Sequence, residues 1–91
     1  MYKIDPYSYE KAKILKVNII PSIQKNKKID VLDGNNQYIC SIGDIRRKDF
    51  PTYLKDGKEY AEYRQQQYWL RHRKHTNKWG TKAYYVANLL W

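Results

Sequence analysis

The spacing of hydrophobic positions changes partway along this chain. Over residues 12–20 the pattern alternates: Leu15, Val17 and Ile19 share one side, with Lys16 and Asn18 between them. Alternation with frequent β-branched residues predicts a strand, and Pro21, which has no N–H to give a ladder, ends it. A basic loop with Lys25, Lys27 and Lys28 follows. Residues 28–32 and 37–42 then flank Asp33-Gly34-Asn35-Asn36, a sequence that tolerates the backbone angles of a tight reversal. The expected hairpin places Ile29 and Val31 on one face, with Tyr38, Cys40 and Ile42 together on the partner strand. With the first strand it makes a three-stranded antiparallel sheet, since two strands alone are marginal. Residues 1–10 read as an irregular arm, with Pro6 discouraging regular structure, and residues 43–55 as a connection.

Beyond that point the period becomes helical. Asp56-Gly57-Lys58-Glu59 has the form of a capping box, and the predicted helix runs from about 58 to about 75. Thr76, Asn77 and Gly80 break it. Thr81 is then placed to cap a short last helix in which Ala83, Val86, Ala87 and Leu90 form a stripe. The fold class is α+β: a small antiparallel sheet of about three strands, packed by one long helix and a short C-terminal helix. The whole chain, 1–91, reads as one domain, with an arm at 1–10, the sheet at 12–42 and a basic helical part at 56–91.

Two lines run along the long helix. Tyr60, Tyr63, Gln67 and Leu70 are expected to pack, whereas Arg64, Tyr68, Arg71 and His75 form a second line at spacings of four, three and four. Guanidinium groups pair with phosphate oxygens, and rings stack on bases. A solvated face whose arginine stems cover apolar surface has the same spacing. What separates the two readings is charge. After Glu62 the chain has no acidic residue, yet it carries Arg64, Arg71, Arg73, Lys74, Lys78 and Lys82. Residues 1–45 hold seven Lys and five acids, a net of +2; residues 46–91 hold eleven Lys or Arg and four acids, a net of +7. That skew favours a polyanion, most often nucleic acid. The candidate contacts are Arg64, Tyr68, Arg71, Arg73, Lys74, His75 and Lys78, with Arg46 and Arg47 as a weaker second cluster.

Composition narrows the chemistry further. Ten Tyr and three Trp stand against one Phe, which suits half-buried surfaces with a polar tip. Cys40 is the only cysteine, so no internal disulfide forms and no cysteine-rich zinc site is built; it reads as a buried thiol. His72 and His75 lie three apart, but a metal site needs a third ligand or nearby carboxylates, and none follows Glu62. The four glycines are scattered and form no phosphate loop. No catalytic motif, metal or cofactor is read, and no stretch approaches the roughly 20 apolar residues of a membrane span. Trp79 and Leu89-Leu90-Trp91 read as core.

Ile42-Gly43, Asp49-Phe50, Tyr68-x-x-Arg71-His72-x-Lys74, Trp79 and Leu89-Leu90-Trp91 occur in an order that resembles a family of small basic proteins. Those proteins are encoded by large DNA viruses and tailed bacteriophages and have no characterised function. The resemblance covers about half the chain. It departs at Ile45-Arg46-Arg47, where the family has a glycine-rich turn, and at Thr76-Asn77-Lys78, where acids are frequent. It implies a viral or phage protein with a shared α+β fold, placed in a host cytoplasm or a virion, and it carries no catalytic residue across. The expectation is a non-enzymatic nucleic-acid-binding protein. A minor capsid or tail cement protein, joined to viral structural subunits, is the alternative, and an inhibitor of a host nucleic-acid enzyme is a further one.

Overall fold

Asp5 and Pro6 start a helix where an arm was expected. The structure, a computed structural model, describes residues 2–76 and 78–91; Asn77, expected to help break the long helix, lies outside them. Asp5 has extended backbone angles and its carboxylate accepts from the Tyr7 N–H at 2.9 Å, so it caps α1, Pro6–Leu15. Pro6 occupies the first helical turn, where its missing N–H costs nothing and its fixed φ is already helical. The helix therefore takes the second half of the arm, from Pro6 on, and the start of the predicted strand. It ends on Lys16, whose φ of 59° is left-handed. The Val17 N–H reaches back to the Ala12 carbonyl at 3.1 Å and that of Lys16 to Lys13 at 3.2 Å, a closure glycine usually provides.

The sheet follows in the order β1-β2-β3, all antiparallel, with β1 at Asn18–Pro21, β2 at Lys27–Leu32 and β3 at Tyr38–Asp44. The turn is the expected one, and its left-handed residue is Asn36, φ 63°. The Asp33 carboxylate accepts from the N–H groups of Asn35 and Gln37 at 2.8 and 2.9 Å. Ile29, Val31 and Ile42 are almost wholly buried. Of the expected face Tyr38, Cys40, Ile42, the last two stay together and Tyr38 leaves it. Val31 pairs with Cys40 but Leu32 with Tyr38, so the ladder slips at this point and Tyr38 changes sides. Its hydroxyl then bonds Ser41 Oγ at 2.7 Å, and Ser41 Oγ donates to Asp30. Cys40 is half-buried.

The chain divides into two compact units, Met1–Arg47 and Lys48–Trp91. The second unit is helical. The connection expected at 43–55 contains a short helix, α2, Phe50–Leu54, capped by Asp49. Asp49 Oδ1 accepts from the Thr52 N–H at 3.0 Å and from the Thr52 hydroxyl at 2.7 Å. The long helix α3, Lys58–Thr76, begins where predicted, although not by the predicted device. The Asp56 carboxylate holds Lys48 Nζ at 3.1 Å instead of capping the first turn. Gly57 supplies the cap carbonyl, accepting from Ala61 N–H at 3.0 Å, at a φ of +135° that a Cβ would strain. The last helix, α4, Lys82–Leu90, is capped as expected by Thr81, whose hydroxyl accepts from Tyr84 N–H at 3.2 Å. Its buried residues are Tyr85, Ala87, Leu89 and Leu90; Ala83 and Val86 of the predicted stripe are half-buried. The protein is thus α+β: a three-stranded antiparallel sheet with one long helix and a C-terminal helix.

Candidate nucleic-acid interface

Along α3 successive side chains turn by about 100°. Ala61, Gln65, Tyr68, His72 and Thr76 therefore form one line, and this is the line that α2 and α4 cover. Ala61 is fully buried, Tyr68 is 9% exposed, and Gln65 Nε2 donates to the Trp91 main-chain oxygen at 2.6 Å. The Tyr68 ring lies parallel to Trp91, 4° between planes and 4.7 Å between centroids, with His72 stacked on it at 4.3 Å. Tyr53 extends the column, 6.0 Å from Trp91 and edge-on to Tyr60 at 5.6 Å. Arg64 places its guanidinium 5.2 Å from the Tyr53 ring centroid, and its buried Nε has no hydrogen-bond partner among the described residues.

The phase of the helix is therefore the reverse of the sequence-based one. The face expected to pack is exposed: Tyr60 is 49% accessible, Tyr63 55% and Leu70 62%. Two residues of the expected binding line belong to the packed side. Tyr68 is a core ring, and Arg64 is a half-buried packing arginine. Trp79, expected in the core, is 79% exposed. The cause is the composition of the helix, which carries rings on every side, so spacing alone does not say which ring meets a neighbour. Ala61 is the signal that would have fixed the phase, because a small side chain marks where another element approaches closely.

Arg71, Arg73, Lys74 and His75 are exposed together on the last turns of α3, and Lys78 is exposed just after them. Among the described residues none of Arg71, Arg73, Lys74 and Lys78 is in an ion pair. Arg46 differs. Its Nε and Nη2 each donate to the Asp44 carboxylate at 2.9 Å. The fork holds the Asp44 carboxyl well below the usual carboxylate range and raises the Arg46 guanidinium, so this pair presents little net charge. Arg47 is exposed. Both belong to the first unit, away in sequence from α3.

Titratable groups on the packed side are tuned by their surroundings. Burial pushes the Tyr68 phenol up, against a smaller opposing effect of Arg71. Burial pulls the His72 imidazole down, helped by the charges of Arg71 and His75. Among the described residues there is no cluster of three or more His, Cys, Asp or Glu able to hold a metal, and no helix is long and apolar enough to cross a membrane. In the first unit a cavity of about 550 Å³ is lined by Tyr2, Ser22, Ile23, Gln24, Lys27 and Ile45 among others. Lys27 is its one charged lining residue among those described, so no acid–base pair faces it. Compared with protein-family models, curated proteins and solved structures, the chain shows no significant match.

Proposed function

We propose that this chain is a non-enzymatic nucleic-acid-binding protein, whose contact surface is the outer side of α3 and the turn that follows it. The observation that carries the reading is the group Arg71, Arg73, Lys74 and Lys78: four exposed cations without carboxylate partners among the described residues, on a stretch that has no acid after Glu62. Cations already paired to protein carboxylates gain little from a phosphate. Unpaired ones displace the counterions condensed on a nucleic acid and gain the entropy of their release. Arg64, Tyr68 and Arg46 leave the list of contacts, because packing or a carboxylate already occupies them.

Phosphate contacts of this kind position a strand without reading its sequence. The test is fluorescence anisotropy of a labelled mixed-sequence oligonucleotide over a range of salt. Four phosphate contacts give a slope of log affinity against log salt of about −3 on single strands and between about −3 and −4 on duplex. A flat salt dependence, or no binding at low salt, removes the proposal. A second reading, a structural contact with an acidic protein surface in a virion, draws on Tyr63 and Leu70, whose exposed apolar area also suits a protein partner.

A further inference from the structure

We infer that the ligand of this surface is single-stranded nucleic acid, with bases stacked on Tyr63 and Trp79 while Arg71, Arg73, Lys74 and Lys78 hold the phosphates. This rests on the nucleic-acid reading above and goes further, because cations alone bind duplex as well as single strands. Tyr63, Leu70 and Lys74 fall within about 40° of one another around α3, directly opposite the packed line through Ala61, Tyr68 and His72. The strip from Tyr63 to Lys74 is roughly 16 Å long at about 1.5 Å per residue. Arg71 flanks it on one side and Arg73 on the other, and Trp79, the most exposed of the aromatic side chains, follows the helix end.

An exposed ring at one end of a strip that becomes cationic at the other, past Glu59 and Glu62 and with Leu70 between, suits a ligand with both phosphates and free ring faces. In a duplex the base faces are covered by their neighbours, so Tyr63 and Leu70 would meet only sugars and phosphates. An unpaired strand offers each base as a stacking surface, and every base has one, so no sequence preference is required. A second copy of this chain is a poor occupant: its own Arg71, Arg73 and Lys74 would face the same charges here.

The test measures affinity for one sequence as a single strand and as a duplex, at low salt, with tryptophan emission recorded on each titration. The expected result is single-strand affinity at least about tenfold above duplex, with quenching of emission. Trp79→Leu should abolish most of the quenching, since Trp91 is buried and Trp69 half-buried. Trp79→Leu and Tyr63→Leu should each lower single-strand affinity by roughly 5- to 100-fold and duplex affinity by much less. Both residues are exposed, so the variants fold, and thermal melts check this. Equal affinities for the two forms, with salt-dependent binding intact in both variants, overturn the stacking inference and leave the electrostatic reading standing. Polyglutamate competing as well as the single strand also overturns it. Self-association in sedimentation that either variant abolishes assigns the strip to a second copy instead. No binding of either nucleic acid at low salt sinks the underlying reading itself.

Discussion

Tyr63 and Tyr68 are the same residue type five positions apart on one helix, and replacing each by leucine tests which side of α3 is packed. Tyr68 is stacked on both Trp91 and His72. Each aromatic pair contributes about 0.5–1.5 kcal/mol beyond the area it buries, so losing both costs about 1–3 kcal/mol. The imperfect fit of a branched side chain adds up to about 1 kcal/mol. A loss of about 2–3 kcal/mol is the working value. For a domain of 60–100 residues each kcal/mol moves Tm by about 4–8 °C, so Tyr68→Leu should melt roughly 8–24 °C lower. Tyr63 is 55% exposed. A change at such a surface site stays within about 0.5 kcal/mol, or under about 4 °C. The assay is thermal unfolding followed by circular dichroism in one buffer. If Tyr63→Leu loses as much as Tyr68→Leu, or if Tyr68→Leu melts like the parent protein, then α3 is turned about half a revolution from the position described. The arginine line at Arg64 would then return as a candidate contact.

Asp49→Ala should cost about 1–2 kcal/mol in denaturant unfolding, because it removes the buried cap of α2 and its bonds to Thr52, whereas Asp56→Ala, which loses one exposed ion pair, should cost under about 1 kcal/mol; equal costs would restore Asp56 as a helix cap. Lys16→Gly should raise stability by about 1 kcal/mol, since the left-handed backbone at φ 59° is strained for lysine and free for glycine; a loss of stability would show that the lysine stem contributes more than the strain costs. The folded protein takes up a proton at His72 less readily than the unfolded chain, so this group leaves stability whole above about pH 6.5 and lowers it as pH falls from there through the folded pKa. Proton NMR should place the His72 midpoint below 6.5, and His72→Phe, which keeps a ring against Tyr68, should flatten that part of the stability profile. A midpoint above 6.5 would refute the burial argument.

The fold class was legible because its strongest signals are local. Ile29, Val31 and Ile42 alternate, Asp33 to Asn36 turn, and Thr81 caps; each depends on neighbours in sequence. The first helix is also written locally, in Asp5-Pro6: a proline that breaks a helix interior starts one at the first helical position. Asp49-Phe50-Pro51-Thr52 has the same grammar. The packing of α3 is another kind of information. Tyr60, Tyr63, Tyr68, Trp69 and Leu70 surround the helix, so rings alone do not fix the phase; the small Ala61 does so locally, and Trp91, from the end of the last helix, stacks on Tyr68 and makes it core. The slip that turns Tyr38 to the Asp30–Ser41 side likewise depends on strand pairing. For the candidate site, the cations Arg71, Arg73, Lys74 and Lys78 are readable from charge, whereas the exposure of Tyr63 and Trp79 is not, because large apolar residues are ordinarily core.

The central claim, that the unpaired cations at the end of α3 hold phosphates, is tested most directly by comparing salt slopes. The proteins are the parent and a variant carrying Arg71→Gln, Arg73→Gln, Lys74→Gln and Lys78→Gln, with melting temperatures matched to within a few degrees. On a single-stranded oligonucleotide the parent should give a slope of about −3, and the variant a slope near zero with affinity too weak to measure at physiological salt. A variant that binds with the parent's slope would contradict the account, since the phosphates would then be held elsewhere on the protein.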